Sequence, residues 1–340
     1  MAEPLLPFVS VIMPIRNEAA FIAESLDAVL AQDYPADRME IIVVDGQSTD
    51  GTAEVAARYC RSDPRLILLS NPARIVPAAL NIGIRQSHGN ILVRVDGHTV
   101  IAPDYVRRCV EHLQRGEADN VGGLMRSVGR TYFGRAAALA TSSPFGIGNS
   151  PFHYSEKEQF SDTVYLGAYR REVFDRIGLF DETLQCNQDY ELNYRLRSAG
   201  GRILCTPEIR SLYYCRESLP AIWRQYFQYG LWKVETLRRH PKSLQPRQLA
   251  APTLVLGLVA LALLGLSFHP AWILLALGGL LYLILAAAFA LPKAMRAGSL
   301  SLWPGIVLTF LTLHLAWGCG FWVGIFRPIS GRGSSKKGVG

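Results

Sequence analysis

Short apolar runs alternate with amphipathic segments along the first hundred residues of the chain. Residues 8–15 (FVSVIMPI) and 40–44 (EIIVV) are rich in β-branched side chains and end in polar turns, which is typical of buried strands. The segment between them places five apolar residues at helical spacing: Phe21, Ile22, Leu26, Val29 and Leu30. Further helices and strands are predicted in alternation at 51–60, 65–70, 76–87 and 91–95. This order predicts an α/β fold with a parallel or mainly parallel sheet.

The periodic pattern is lost over residues 134–165, which are rich in Gly, Ser, Pro and aromatic side chains. An irregular segment of this length predicts a long loop, of the kind that often belongs to an active site. Helical spacing returns near 171–177 and 188–199. We therefore expect the regular part of the fold to resume after the loop.

Residues 219–240 predict an amphipathic helix. Trp223, Phe227 and Leu231 share one face, and arginine and lysine side chains occupy much of the rest. Aromatic and basic residues on one helix favour a position at a membrane surface. A helix that closes the domain and exposes a basic face to water is the alternative.

Three apolar segments follow, at 249–268, 271–291 and 302–326. None contains an acidic residue, and at about 20 residues each is long enough to cross the hydrocarbon core of a bilayer, which is ~30 Å thick. Only His269 and Pro270 separate the first two, which predicts a tight hairpin.

The side of the membrane on which the chain ends depends on how many segments cross. A loop at 292–301 carries Lys293 and Arg296 and fits the cytoplasmic side. Three crossings would place the basic tail at 328–340 outside, against the usual excess of Lys and Arg inside. We expect three crossings; two crossings with one re-entrant segment are the alternative.

Charge is divided unevenly along the chain. All 28 acidic residues lie at or before Glu235, and residues 236–340 carry ten of the 35 Lys and Arg. The basic character therefore belongs to the C-terminal third. The first 235 residues contain no basic stripe with interleaved aromatics, so we exclude a nucleic-acid partner. Ion transport is excluded as well, because the apolar segments carry no carboxylate for an ion pathway.

The six cysteines form no C-x-x-C pair and no metal-ligand spacing, which indicates free thiols in a reducing compartment. The N-terminus has neither a basic region nor a cleavage site of small residues, so a signal peptide is not expected. Both features predict that the first domain stays in the cytosol.

Three polar motifs stand where predicted strands end or a helix begins. Asp45 ends the second strand, where a carboxylate can accept hydrogen bonds from a base or a ribose; a plain strand–turn–helix junction, with residues 48–50 as the helix cap, is the alternative. Asp96 and His98 flank one glycine and suit Mn²⁺ or Mg²⁺ bound to a diphosphate, unless they form an ordinary turn. Asp189 opens a helix, where it could deprotonate a hydroxyl or only favour the helix dipole.

Taken in order, these motifs resemble glycosyltransferase family 2. SVIMPIRNE (10–18), DGQSTDGT (45–52) and the stretch 71–98 are similar to the first strand, the nucleotide segment and the approach to the metal-binding DxD of that family. The resemblance covers residues 8–240 and implies the GT-A fold, a single Rossmann-like domain. It implies that Asp45 contacts the base, that Asp96 and His98 hold the metal, and that Asp189 is the catalytic base.

Three features depart from the family pattern. His98 stands at the last position of DxD, Gln188 replaces the acid that usually precedes the base, and the C-terminal Q-x-x-R-W signature is not intact. The loss of the Q-x-x-R-W signature argues against a processive synthase.

Within the family, blocks at 167–182, 187–201 and 224–230 resemble the bacterial succinoglycan glucosyltransferases. This resemblance implies a multi-pass enzyme of the bacterial inner membrane with its catalytic domain in the cytoplasm. It implies inverting transfer of glucose from UDP-glucose, in β-linkage, to a polyprenyl-diphosphate-linked oligosaccharide in exopolysaccharide synthesis, alongside other polysaccharide-assembly proteins. A polyprenyl-phosphate glycosyltransferase that loads one sugar, and a non-catalytic nucleotide-binding membrane scaffold, are the alternatives.

The resemblance also gives the expected organisation and contacts. The domains are a GT-A domain at 1–218, an interface helix and linker at 219–247, a transmembrane region at 248–327 and a basic flexible tail at 328–340. Donor contacts are expected at Pro14, Arg16, Glu18, Asp45, Arg74, Asn81, Arg94, Asp96 and Lys233. Contacts with the acceptor or the membrane are expected at Trp223, Tyr226, Tyr229 and Trp232.

Overall fold

The predicted alternation of strands and helices is confirmed in a computed structural model of the chain. The structure describes residues 6–327, so the predicted basic tail at 328–340 lies outside the described residues. The strands are β1 Val9–Ile15, β2 Met39–Asp45, β3 Leu66–Ser70, β4 Ile91–Arg94, β5 Thr99–Ile101, β6 Asn120–Val128, β7 Gln159–Phe160, β8 Tyr165–Arg170 and β9 Ile203–Tyr214. The helices of the sheet domain are α1 Ile22–Leu30, α2 Thr52–Ser62, α3 Val76–Gln86, α4 Tyr105–Gln114, α5 Tyr132–Thr141, α6 Pro144–Ile147, α7 Arg171–Ile177 and α8 Gln188–Ser198.

One sheet runs through the domain in the order β3-β2-β1-β4-β8-β6-β9-β5, with β7 paired to β9. The first four strands are parallel to one another, as the sequence predicts. The second half is mixed, because β8 runs antiparallel to both β4 and β6. All seven residues of β1 are buried, which explains its continuous apolar run, since helices cover both faces of such a sheet.

The parallel half brings the polar strand ends to one edge. Hydrophobic side chains of α1 and α4 pack on one face of the sheet, and those of α3, α7 and α8 pack on the other. The sequences after β1, β2 and β4 therefore meet at the carboxyl edge, the usual place for a ligand in such sheets.

The prediction of a loop over 134–165 is wrong in its first half. Helices α5 and α6 occupy much of that half, and Thr131 caps α5 by accepting a hydrogen bond from the Gly134 N–H at 3.0 Å. Ala136, Ala137 and Ala140 belong to the buried cluster that includes alanines of a C-terminal helix. A stripe of alanines has little hydrophobic contrast, so its period is hard to read from sequence.

Four long helices complete the chain: α9 Leu219–Arg239, α10 Ala250–Gly265, α11 Pro270–Arg296 and α12 Trp303–Phe326. Helix α9 confirms the predicted amphipathic helix. Within residues 6–327, three helical segments are long and apolar enough to cross a membrane, at Pro246–Gly265, Pro270–Arg296 and Leu300–Phe326. Lys293 and Arg296 lie in the last turn of α11 and not in a loop, because the helix continues through Pro292.

Candidate active site

The loops that follow β1 and β2 are locked together by hydrogen bonds. The Asn17 N–H donates to Ser48 Oγ at 3.0 Å, and the Thr49 N–H donates back to Asn17 Oδ1 at 2.9 Å. The Glu18 N–H donates to Thr52 Oγ1 at 2.7 Å. These contacts explain the polar DGQSTDGT segment, whose side chains satisfy the backbone of the loop after β1.

The helix cap predicted at residues 48–50 is confirmed only in part: Asp50 accepts a hydrogen bond from the Thr52 N–H, the first of α2, at 3.1 Å, but the N-cap position belongs to another residue. Gly51 is the residue that precedes α2, with a left-handed φ of 93° and no side-chain cap. The other carboxylate oxygen of Asp50 accepts a hydrogen bond from the Ala19 N–H at 3.0 Å, so Asp50 also joins α2 to the loop after β1. A Cβ on Gly51 would meet nothing within 4 Å, so the glycine is required by its backbone conformation and not by space.

Strained backbone concentrates around the same loops. Asn17, Gln47, Arg74 and Asn187 all have a left-handed φ between 54° and 62°. Such conformations cost of order 1 kcal/mol or more for a residue with a side chain, and they cluster at ligand-binding sites. The first three follow β1, β2 and β3, and Asn187 precedes α8.

Asp45 lies at the end of β2 beside two arginines. Its carboxylate is almost buried and accepts hydrogen bonds from the Ser48 N–H at 3.1 Å and from the Ser48 hydroxyl at 2.5 Å. Arg16 donates to the carbonyl of Arg74 at 3.0 Å. The structure thus brings three predicted donor residues to one end of the sheet edge.

Asp96 is paired with an arginine of the same strand end. Arg94 Nε and Nη2 donate to its two carboxylate oxygens at 2.7 and 3.1 Å. Burial of the guanidinium lowers the pKa of Arg94, but the negative charges of Asp96 and Asp189 raise it by more, so the net shift is upward. Asp189 lies in the first turn of α8, as predicted. Arg94 therefore offsets the charge of two carboxylates at once.

Glu18 reaches across the sheet edge to His98. Its Oε1 lies 2.8 Å from Nδ1 of the imidazole, and its Oε2 is buried without a hydrogen-bond partner. Burial of the imidazole lowers the pKa of His98, but the hydrogen bond and the negative charge of Glu18 raise it by more, so the net shift is upward. A glycine is required at position 97 because the Glu18 side chain occupies the space beside it: a Cβ there would lie 1.9 Å from Glu18 Oε2.

The contact between Glu18 and His98 suits a histidine that binds a metal ion. A carboxylate that binds one ring nitrogen of a histidine fixes the ring and leaves the other nitrogen for a metal. Within residues 6–327 no group of three or more His, Cys, Asp or Glu is arranged around a metal position. Asp96 and His98 could thus supply two ligands, and a bound diphosphate would have to supply oxygens as well.

One cavity of about 1000 Å³ joins this edge of the sheet to the C-terminal helices. Its polar end is lined by Arg94, Asp96, His98 and Asp189. Its apolar end is lined by residues of α6, α10 and α12: Phe145, Ala251, Leu313 and Trp317. The volume is large for a small-molecule pocket, so the cavity can hold more than a nucleotide sugar.

Seven of the nine predicted donor residues do not line this cavity: Arg16, Glu18, Asp45 and Arg74 lie at the ends of β1, β2 and β3 or in the loops that follow them, and Pro14, Asn81 and Lys233 are buried elsewhere. Asn81 is buried; its amide donates to the Phe180 carbonyl at 2.9 Å and accepts from the Phe180 N–H at 2.9 Å. Lys233 is buried too, with Nζ 3.2 Å from the Ser243 carbonyl. Pro14 is buried within β1. We therefore leave these three side chains out of the donor site proposed below.

The predicted aromatic contacts divide into two groups. Tyr226 and Tyr229 line the cavity. Trp223 is exposed, and the indole of Trp232 lies 6.0 Å from the Arg327 guanidinium near the end of α12. Only the two tyrosines are placed where an acceptor could contact them.

Three arginines that line the cavity were not predicted from the sequence: Arg247, which is paired with Asp162, and the two residues Arg216 and Arg224. Arg216 and Arg224 are exposed, line the cavity and make no ion pair with a described residue. The charge of Arg216 acts on His98, which places it near the metal-ligand pair. Arg216 and Arg224 both lie within a few positions of the start of α9, and this position is the sequence feature by which they could have been identified.

Comparisons with known proteins agree on the family. The model for Glycosyl transferase family 2 matches residues 10–178. The succinoglycan biosynthesis protein ExoA of Rhizobium meliloti is 32% identical over 319 residues, which cover 92% of this chain and 93% of ExoA. A dolichyl N-acetyl-alpha-D-glucosaminyl phosphate 3-beta-D-2,3-diacetamido-2,3-dideoxy-beta-D-glucuronosyltransferase of Methanococcus voltae is 29% identical, over 68% of this chain and 74% of the relative.

Among solved structures, the mannosyltransferase PcManGT of Pyrobaculum calidifontis, in complex with GDP-Man and Mn²⁺, has a TM-score of 0.62 at 23% identity. The match covers 92% of this chain and 87% of PcManGT and confirms the GT-A fold. The sequence relatives, the family motifs and the fold agree, and the chain belongs to glycosyltransferase family 2, among enzymes of polysaccharide or glycolipid synthesis.

Proposed function

We propose that the chain is a membrane-bound, inverting glycosyltransferase that moves glucose from UDP-glucose, in β-linkage, to a polyprenyl-diphosphate-linked oligosaccharide. The observation that carries the proposal is the cavity described above, which has the predicted metal and base residues at one end and apolar helices at the other. A sugar on a lipid carrier needs both ends at once. We place the reaction in exopolysaccharide synthesis at the bacterial cytoplasmic membrane, with the sheet domain in the cytoplasm.

The donor would lie along the carboxyl edge of the sheet. Asp45 has acceptor capacity for a base or ribose, beside Arg16 and Arg74. The unpaired Arg216 and Arg224 are suited to a diphosphate, because guanidinium groups match phosphate oxygens. Mn²⁺ or Mg²⁺ held by Asp96 and His98 would offset the negative charge on the departing nucleoside diphosphate.

Asp189 is the proposed catalytic base. It accepts a proton from the acceptor hydroxyl while that oxygen bonds to C1 of the sugar. The bond from C1 to the diphosphate oxygen breaks on the opposite face, and its electron pair leaves with the diphosphate. Arg94 holds Asp96 in place and keeps a positive charge beside Asp189. Retention of both carboxylates argues against a non-catalytic scaffold.

Support for the acceptor comes from the cavity and from two relatives. Phe145, Leu313 and Trp317 form an apolar wall, which suits the isoprenoid end of a lipid carrier. The name of the Methanococcus relative gives a dolichyl-linked sugar phosphate as its acceptor. The name of ExoA places that protein in succinoglycan synthesis, and the choice of glucose rests on this resemblance.

A transfer assay tests the proposal. The detergent-purified chain is supplied with Mn²⁺, radiolabelled UDP-glucose and a bacterial lipid extract, and the lipid-linked product is sized. The Asp189→Asn chain is the matched control. Label in a diphosphate-linked oligosaccharide one sugar longer than its acceptor supports the proposal. Label only in a monosaccharide on a lipid phosphate would replace it with the one-sugar loading reaction. Transfer only from another donor, such as GDP-mannose, would overturn the choice of UDP-glucose.

A further inference from the structure

Helix α12 is tied to the sheet domain at its start and to α9 at its end. At its start, the Tyr132 hydroxyl of α5 donates to the Ser301 carbonyl at 2.8 Å and accepts from the Gly305 N–H at 3.1 Å. At its end, the Arg238 guanidinium of α9 donates to the carbonyls of Gly324 and Ile325 at 3.1 and 2.9 Å. The last carbonyls of a helix need such donors.

Between these ties, α12 runs alongside α9 in the same direction. Two glycines permit the close approach: a Cβ on Gly230 would lie 2.1 Å from the Trp317 carbonyl oxygen, and one on Gly320 would lie 2.0 Å from that of Phe227. Further along, Gly324 faces Leu231 and Val234. The two helices are therefore in contact over most of their length.

Helix α9 is itself fixed to the sheet domain along its length. Near its start, Gln225 donates to the Tyr213 hydroxyl of β9 at 3.1 Å. Near its end, Arg239 forms an ion pair with Asp181, which follows α7. Because α12 packs parallel to α9 from Trp317 to its end, this part of α12 also lies along the surface of the sheet domain.

Helices α10 and α11 behave differently from α12. Only 17% and 11% of their most apolar stretches are buried in the protein, against 44% for α12. The two helices form the predicted hairpin, and Lys293 near the end of α11 returns to donate to the Ser142 carbonyl at 2.6 Å. Mean hydropathy is also higher for these two, at 2.0 and 2.5 against 1.7.

We infer that only α10 and α11 cross the membrane, and that α12 lies in the plane of the membrane at the boundary between acyl chains and headgroups. A helix of 24 residues is about 36 Å long. If it crossed a core of ~30 Å, one end would lie on the far side, whereas the start of α12 contacts α5 and its end contacts α9 next to the Arg239–Asp181 ion pair. Its exposed face, with Leu308 and Val323, would meet the acyl chains of one leaflet.

This arrangement removes the conflict in the charge pattern. With two crossings, Arg327 and the basic residues that follow it stay on the side of the sheet domain, where Lys and Arg are usually found. It also makes α12 the membrane-side wall of the cavity, through Leu313 and Trp317. The inference depends on membrane insertion of the hairpin and not on which sugar is transferred.

A reporter fusion measures the side of the C-terminus. Green fluorescent protein, which fluoresces only in the cytoplasm, and alkaline phosphatase, which is active only outside it, are fused after Gly340. The same reporters inserted after Phe268, at the tip of the hairpin, are the control. We expect fluorescence after Gly340 and phosphatase activity after Phe268. Phosphatase activity after Gly340 would overturn the inference.

Membrane depth gives a second, independent test. Spin labels are placed at Leu308→Cys and Val323→Cys, in a chain with Cys60, Cys186 and Cys319 replaced by Ser. The two labels are 15 residues apart, about 22 Å along the helix, and we expect equal depths. The control pair, Ile273→Cys and Ile284→Cys on the crossing helix α11, should differ by about 16 Å. If the membrane depths of the two α12 labels differ in proportion to their separation along the helix, as those of the control pair should, then α12 crosses the membrane.

Discussion

Replacing Gly97 with alanine would push Glu18 off His98. The added Cβ would lie 1.9 Å from Glu18 Oε2 and 2.9 Å from Ile15 Cγ2. The loop has little room to retreat, because the Gly97 carbonyl accepts a hydrogen bond from the buried Ser25 hydroxyl at 2.9 Å. The Glu18 side chain is the part that can move, and it must turn away from the imidazole.

The size of the effect follows from what Glu18 loses. Its Oε1 holds His98 at 2.8 Å, whereas its Oε2 has no partner, so the contact with His98 is the main loss. A hydrogen bond to a charged group is worth about 1.5–3 kcal/mol. Loss of the partner that orients a metal-binding histidine lowers metal affinity about 10–100-fold, which is a similar free energy. We expect Gly97→Ala to weaken Mn²⁺ binding by this factor.

The assay is a Mn²⁺ titration of the UDP-bound chain, followed by the paramagnetic resonance of free Mn²⁺. Gly257→Ala is the matched control, because a Cβ at Gly257 meets nothing within 4 Å. If the alanine acts through Glu18, the Gly97→Ala/Glu18→Ala double variant should bind Mn²⁺ no more weakly than Glu18→Ala alone. Unchanged Mn²⁺ affinity in Gly97→Ala would refute both the steric argument and the assignment of His98 as a ligand.

Three further changes have defined outcomes. Asp189→Asn should lower turnover by about 10²–10⁴-fold and leave the dissociation constant for UDP nearly unchanged. Burial lowers the pKa of Lys233 from 10.5 to about 7, so between these pH values the folded chain binds fewer protons than the unfolded chain. The free energy of unfolding should therefore rise with pH across that window, by up to about 1.4 kcal/mol per pH unit. Lys233→Met should remove this rise, measured as the unfolding midpoint at several pH values. Gly320→Val should separate α9 from α12 and cost about 1–3 kcal/mol of stability, measured by thermal unfolding against the exposed Gly278→Val.

Each of these three can fail in a recognisable way. Loss of UDP binding in Asp189→Asn would make the residue a donor ligand and not a base. An unfolding midpoint of Lys233→Met that depends on pH as in the parent chain would mean that Lys233 is not held neutral by burial. Equal unfolding midpoints for Gly320→Val and Gly278→Val would show that α9 and α12 do not pack closely.

Prediction from sequence was most successful for the regular elements. The strands from β1 to β4 and the helices α8 and α9 have strong periodicity, and each was placed within about two residues. The alanine-rich α5 was missed, because its apolar stripe is shallow and its partner is a distant C-terminal helix. Lys293 was assigned to a loop because the apolar segment ends at residue 291, yet α11 continues through Pro292 to Arg296.

The candidate site was predicted in its residue types but not in its pairings. Asp45, Asp96, His98 and Asp189 were identified from strand ends and from family motifs. Asp45 and Asp96 pair with residues two or three positions away, Ser48 and Arg94, whereas the partner of His98 comes from elsewhere in the chain: Glu18 is 80 residues away. Arg94 was expected to hold a diphosphate, and the structure shows it paired with Asp96.

The sequence by itself determined the α/β order, the family and the apolar segments, because periodicity and motif chemistry are properties of neighbouring residues. Only the tertiary structure decided which carboxylate orients His98, why Gly97 has no side chain, and that one cavity joins the sheet edge to the C-terminal helices. It also decided that α12 packs alongside α9 in the same direction, which composition alone does not indicate. Hydropathy measures whether a helix tolerates lipid, whereas its orientation follows from contacts made by residues far apart in the chain.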